Sequence, residues 1–271
     1  MPILKTRLYK PPISNKFIIR ERLIERLHEQ EDRPFIMIVA GAGYGKSVLM
    51  SQWLDTCQGK YTWISLAEDC NDLQLFLSYL TAGIQEHFPE SLQYIAQVID
   101  SNQLPVEEVI VQTLINDLHE VPEPLVIVFD DFHKIRNKSI LNVFNQLINF
   151  PPEKVRFALI SRVDPPLKKA KLLSYKQVCE IRMVDLRLKP HEITELAKNS
   201  INLDISSETA QEIERITEGW ILGVNLALQD YQKNHSNHQT TQLSFNHSGD
   251  LEQFFFELFE ERLRAEASKI L

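Results

Sequence analysis

At 271 residues, with 44% apolar and 24% charged side chains, the chain has the composition of a globular protein long enough for more than one domain. Its formal charge of −8 argues against bulk electrostatic binding to nucleic acid, and the one conspicuous basic cluster, Lys168, Lys169 and Lys171, reads as a solvated helix face or loop. Three cysteines (Cys57, Cys70, Cys179) fit neither a disulfide framework nor a metal-ligand spacing; with no leader-like N-terminus and no apolar run near the ~20 residues of a membrane span, free thiols and a cytoplasmic location are expected.

Residues 1–30 read as a lead. Pro2, Pro11 and Pro12 discourage helix up to about residue 20, and Leu23, Ile24 and Leu27 then make 21–30 amphipathic. From residue 35 the pattern alternates: strand 35–39, a loop, an amphipathic helix over 46–56, strand 61–66, helices 72–87 and 106–119, strand 125–129, helix 139–149, strand 155–160, and a last strand around 178–183. Short apolar strands interleaved with helices predict a doubly wound α/β domain over 31–186, its mainly parallel sheet covered on both faces. From 187 to 233 only helical periodicity appears, which predicts a small all-helical domain. Pro190 suits the first position of a helix over 190–200, Ser206 or Ser207 the N-cap of the next, and Gly219 its close before Ile221–Tyr231. Residues 234–248 read as a polar linker whose His235, His238 and His247 match no metal-site spacing. Gly249–Leu271 is again amphipathic, with Phe254, Phe255, Leu258, Phe259 and Leu263 as its stripe. A chain that stops one helix into a new packing unit is expected to be a fragment or a truncated form.

The chemistry concentrates in Ala40-Gly41-Ala42-Gly43-Tyr44-Gly45-Lys46-Ser47, directly after the apolar run Phe35–Val39. Glycine and alanine in alternation let successive N–H groups turn toward phosphate oxygens, and the following helix adds its positive dipole end. Lys46 is placed to reach the β- and γ-phosphates, and Ser47 to supply the hydroxyl that holds Mg²⁺. The motif asks for glycine where Ala40 stands, so a cost in backbone freedom is expected there. A second motif follows at a suitable distance: the apolar strand Leu125–Phe129 ends in Asp130-Asp131. Asp130 at the strand tip suits Mg²⁺, and Asp131 suits orienting or deprotonating the attacking water. The next strand ends in Ser161-Arg162, which puts a cation for the γ-phosphate at the edge where open sheets bind ligands. Taken alone, the Asp-Asp pair is an ordinary strand terminus and Arg162 a surface ion pair; the phosphate loop is what joins them into one reading.

These residues resemble a family, the STAND class of signal-transduction P-loop ATPases, and within it the MalT-like branch of large LuxR-type transcriptional activators. The resemblance covers nearly the whole chain. It rests on Lys5–Tyr9 with Pro11-Pro12, Ile19–Leu23, Ala42–Ser47, Trp63–Leu66, Phe129–His133, Ser161–Leu167, Asp185–Leu188 and Glu218-Gly219-Trp220. It implies an ATP/ADP switch that self-associates with ATP and resets by slow hydrolysis. Carried onto this sequence, Phe17, Ile18, Ile19 and Arg20 would line the adenine. Gly41, Ala42, Gly43, Tyr44, Gly45, Lys46, Ser47 and Val48 would hold the phosphates, with Ser47 and Asp130 on Mg²⁺. Asp131, Lys46 and Arg162 would serve catalysis, and Trp220 would contact the nucleotide from the helical domain. Many relatives carry proline where this chain has Ile221. Relatives also continue into a winged-helix domain, a sensor and a C-terminal DNA reader; Gly249–Leu271 resembles only the start of the winged-helix region, so DNA binding would need a domain this chain lacks. Two other readings remain open: a catalytically silent interaction module holding ADP as a structural cofactor, and a phosphotransferase or motor ATPase.

Overall fold

The computed structural model describes residues 3–14, 17–101, 104–174 and 176–236. The Lys169 and Lys171 side chains, nearly all of the stretch 234–248 including the side chains of His235, His238 and His247, and the segment Gly249–Leu271 lie outside the described residues. The chain divides into two compact units: Met1–Ser14, Ile19–Gly41 and Gly45–Leu186 form one, and Asn15–Ile18, Ala42–Tyr44 and Arg187 onward the other.

In the first unit, β1 (Phe35–Val39), β2 (Lys60–Ser65), β3 (Leu125–Asp130), β4 (Val155–Ser161) and β5 (Val178–Arg182) form one sheet in the order β2-β3-β4-β1-β5, every pairing parallel. All of β1 is buried, as a central strand covered on both faces must be. Phe35, Met37, Phe129 and Phe157 share a core with α3 (Leu73–Gln85), α4 (Gln93–Asp100), α5 (Glu107–His119) and α6 (Lys138–Asn149), where Phe144 of α6 sets its ring edge-on to Phe129 at 5.1 Å. By alternation Arg156 points to the other face. There its guanidinium lies 5.2 Å from the Trp53 ring of α2 (Lys46–Thr56), and His28 of α1 (Glu21–Glu29) packs on the same indole at 6.1 Å. The short helices α7 (Lys169–Ser174) and α8 (Met183–Leu186) flank β5.

Three features of the first unit show where and why the fold departs from the sequence-based expectation. The lead is not wholly extended: Lys5–Leu8 is a 3-10 turn, fastened by the Leu4 N–H to the Tyr79 hydroxyl at 3.2 Å and by Arg7 to Asp69 at 2.7 Å. Helix α2 is not amphipathic. Leu49, Met50, Ser51, Gln52, Trp53 and Leu54 are all buried, because the lead lies over its outer side: the Ser51 hydroxyl donates to the Pro11 carbonyl, and Lys10 reaches the Ser51 carbonyl and pairs with Asp55. The third departure is α4, which the hydrophobic pattern did not disclose.

The second unit is helical, with α9 (Pro190–Ile201), α10 (Ser207–Thr217) and α11 (Ile221–Ser236), the last running past Tyr231 into the stretch read as linker. Pro190 opens α9, where Glu192 accepts from the Lys189 N–H at 2.8 Å, and the Ser206 hydroxyl caps α10 by accepting from Thr209 N–H at 3.1 Å. Leu188, Ile193, Leu196, Ile213, Val224 and Leu228 form its core, and Ile18 joins them. Glycine is required at 219: φ is +69°, and a Cβ would stand 2.5 Å from the Leu188 carbonyl oxygen. That closeness comes from the Leu188 N–H donating to the Gly219 carbonyl at 2.8 Å. Among the described residues no helix is long and apolar enough to cross a membrane.

Candidate functional site

Strand order brings three tips to one edge of the sheet. β1 runs into the glycine loop, β4 ends at Ser161-Arg162, and β3 ends at Asp130-Asp131, with β4 lying between the other two. The loop turns into α2 at Gly45, which adopts a left-handed conformation with φ 74°. The first N–H of α2 to find an intrahelical acceptor is that of Leu49, on the Gly45 carbonyl at 2.9 Å; those of Lys46, Ser47 and Val48 precede it and face the loop end of the helix. The cost expected at Ala40 is not incurred. Within the loop, positive φ occurs at Gly43 and Gly45 alone, whereas Ala40 is buried and donates its N–H to the Ser161 carbonyl at 3.2 Å as an extension of the sheet.

The Lys46 ammonium donates to the Gly41 carbonyl at 2.8 Å. Burial lowers its pKa to about 8, helped by the charge of Arg162 and opposed by Asp130 and Asp131. One residue on, the Ser47 hydroxyl donates to Asp130 Oδ1 at 3.1 Å. Burial raises the Asp130 carboxyl above its ordinary value against the stabilising Ser47 hydrogen bond. A hydroxyl and a carboxylate oxygen meeting from two elements are the hard donors that Mg²⁺ takes, so the residues present fit that ion.

Asp131 is left-handed at φ 59° and opens a 3-10 turn, Phe132–Lys134. Its Oδ2 accepts from Lys134 Nζ at 2.8 Å, and its Oδ1 lies 3.9 Å from His133 Nδ1. Burial pushes this carboxyl up, but the Lys134 hydrogen bond and the charges of Lys134, His133 and Arg162 bring it below the usual carboxylate value. Arg162 is near enough for its charge to act on Lys46, Asp131 and His133. Asp164, from the same run, pairs with Arg182 of β5 at 2.7 Å and so fastens the segment after β4.

His133 and Lys134 were not assigned a role from the sequence, since three residues after a strand tip show no periodicity. The only available signal was their place directly behind the acid pair. His133 is mostly buried, its Nδ1 has no hydrogen-bond partner among the described residues, and burial brings its pKa to about 4.

Phe17, Ile18, Ala42, Gly43, Tyr44 and Trp220 belong to the second unit. The Ala42 carbonyl accepts from Trp220 Nε1 at 3.0 Å, and the Tyr44 ring lies 6.5 Å from the indole. Ile18 is buried in the helical core, while Phe17 is 42% exposed. In the first unit, Ile19 is exposed, and Arg20 is buried with its carbonyl starting α1 by accepting from Leu23 and Ile24. Ile18 and Trp220 thus already have packing or hydrogen-bonding roles within the protein, whereas Phe17 and Ile19 present open apolar surface.

No protein-family model matches the chain. It is 26% identical over 237 residues to the HTH-type transcriptional regulator MalT of Klebsiella pneumoniae, which covers 88% of this chain and 26% of that protein. Against MalT of Yersinia enterocolitica the identity is 27% over 235 residues, covering 86% and 26%. The chain therefore spans about a quarter of the length of the curated relatives it matches. Among solved structures it superposes on a Signal Transduction ATPase with Numerous Domains (STAND) protein with a tetratricopeptide repeat sensor from Pyrococcus horikoshii. The TM-score is 0.62 at 19% identity, over 96% of this chain and 34% of that one. A Walker-type ATPase of Pyrococcus abyssi matches with TM-score 0.57 at 15% identity, over 93% and 77%. These structures share the fold of the chain. The chain is thus similar in sequence to MalT regulators and shares the fold of P-loop ATPases.

Proposed function

We propose that the chain is the nucleotide-binding switch module of a cytoplasmic, MalT-like transcriptional regulator. It holds ATP or ADP with Mg²⁺, hydrolyses ATP slowly, and controls self-association through the nucleotide bound; DNA is contacted by another part of the regulator. The observation that carries this reading is the meeting of Lys46, Ser47 and Asp130 at one sheet edge, on a glycine loop that runs into a helix N-terminus. The Lys46 ammonium exchanges the Gly41 carbonyl for β- and γ-phosphate oxygens, and Ser47 and Asp130 hold the metal. Mg²⁺, when bound, neutralises charge on the phosphates. Arg162 stabilises charge on the transferring phosphoryl group, and Asp131 orients the attacking water once its carboxylate releases Lys134.

Lys46→Ala tests the binding. Wild-type chain is expected to carry near-stoichiometric ADP through purification, identified by chromatography after denaturation, and the variant none. Equal nucleotide affinity in the two proteins would sink the reading. One observation favours a second reading: the Asp131–Lys134 contact at 2.8 Å occupies the carboxylate that would serve as base, as in a module that holds ADP without hydrolysing ATP. Single-turnover hydrolysis of radiolabelled ATP separates them, since tight binding with no phosphate release assigns the silent module.

A further inference from the structure

Trp220 is gripped in an unusual way. Its indole lies between two stretches of bare backbone: a Cβ at Gly43 would stand 2.8 Å from Nε1, and a Cβ at Gly223 would stand 2.9 Å from Cε3. The turn that presents it is fixed by Gly219, whose φ of +69° and approach to Leu188 no other residue accommodates without strain. The single indole donor is directed at the Ala42 carbonyl, 3.0 Å away, and not at solvent or at a helix.

A trans peptide points its C=O and N–H in opposite directions, and the described residues contain no cis bond. Holding the Ala42 carbonyl against the indole therefore turns the Gly43 N–H to the opposite side. In a phosphate loop, that side is where a ligand oxygen is received. We infer that Trp220 is a positioning residue of the phosphate loop: it fixes the Ala42–Gly43 peptide so that the Gly43 N–H is presented to phosphate, and it does not itself touch the nucleotide. This rests on the nucleotide reading above and assigns Trp220 a different task from the direct nucleotide contact implied by family resemblance.

Two ligands separate the possibilities, ADP and inorganic tripolyphosphate, which has no base. Their affinities for the full chain in Mg²⁺ buffer are measured by calorimetry for wild type and Trp220→Phe. Benzothienylalanine at 220, which keeps the indole shape and lacks only the N–H, serves as a second variant should the phenylalanine protein misfold. The loss of one neutral hydrogen bond predicts that both ligands weaken by the same factor, about three- to tenfold. Weakening of ADP alone would assign the indole to the base and overturn the inference, as would no change in either ligand. Wild type that bound neither ligand would overturn the nucleotide reading and the inference with it, a result distinct from binding that the substitution leaves unaltered.

Discussion

His133 is a neutral imidazole placed among three cations, Arg162, Lys134 and Lys46, and one anion, Asp131. Burial first, and then those cations against the pull of Asp131, bring its pKa from 6.5 to about 4. Between about pH 4 and 6.5 the unfolded chain therefore binds more protons at this position than the folded one, and folding stability rises with pH through that window. His133→Asn removes the titration. Wild type is thus expected to lose stability relative to the variant as pH falls from 6.5 to 4, although carboxylates titrate in both. Urea midpoints measured at half-unit steps read this directly, and parallel curves would show that the imidazole is solvated. Gly43 offers a second test at this scale. Gly43→Ala combines a left-handed φ of +74° with a Cβ placed 2.8 Å from the indole nitrogen, so a loss of roughly 1–3 kcal/mol in denaturant stability is expected. Ala40→Gly, at a buried position without positive φ, should gain nothing in phosphate binding.

Helix α11 begins at Ile221, and the first position of a helix is where proline costs least, since its N–H has no intrahelical acceptor. Ile221→Pro is expected to shift the thermal midpoint by less than about 4 °C, the residual cost being lost aliphatic packing on the helical core. Leu226→Pro, inside the same helix, removes a ladder hydrogen bond and should cost about 3 kcal/mol or more. Comparable losses from the two would mean that α11 starts elsewhere. The same local logic explains what the sequence disclosed. The strands of the sheet, α9 with its proline and α10 with its serine cap all carry their start signals in adjacent residues. Helix α4 does not: Leu92 precedes it in a left-handed conformation with no side-chain cap, and the carboxylate that accepts from Ile95 N–H at 2.8 Å is Asp117, from another helix. A cap supplied through space leaves no mark in the local sequence. For the same reason α2 read as amphipathic, because the segment that buries its outer side lies at the N-terminus of the chain. At the candidate site, Lys46, Ser47, Asp130, Asp131 and Arg162 were legible as motifs, but the Lys134 contact that engages Asp131 and the Trp220 hold on Ala42 are tertiary facts.

Over the whole molecule the sequence carries little trace of how the chain is shared out. Ala42–Tyr44 and Asn15–Ile18 group with residues beyond 187, which neither periodicity nor composition distinguishes from their neighbours. The cysteines supply a probe of the sheet-bearing unit, since all three are free and belong to it. Burial is the leading cause that raises each thiol pKa, to about 11 for Cys57, whose Sγ also donates to the Trp53 carbonyl at 3.3 Å. At pH 8 each is therefore a protonated thiol; Cys70 and Cys179 are buried and Cys57 half-buried, so attack by a bulky disulfide reagent is slow until the structure opens. Cys57 follows the last turn of α2, the helix that Lys46 begins, so a ligand held at Lys46 and Ser47 opposes the opening that exposes it. When reclosing outpaces modification, the rate tracks the open population, and ligand at 100 times its dissociation constant suppresses that population by about 2.7 kcal/mol, roughly a hundredfold. ADP with Mg²⁺ is accordingly expected to slow Cys57 modification by about that factor. Equal slowing at Cys70 and Cys179 would mean that the thiols report one cooperative opening of the unit. Slowing confined to Cys57 would mean that α2 opens by itself, and that the phosphate loop stabilises its own helix before it stabilises the sheet.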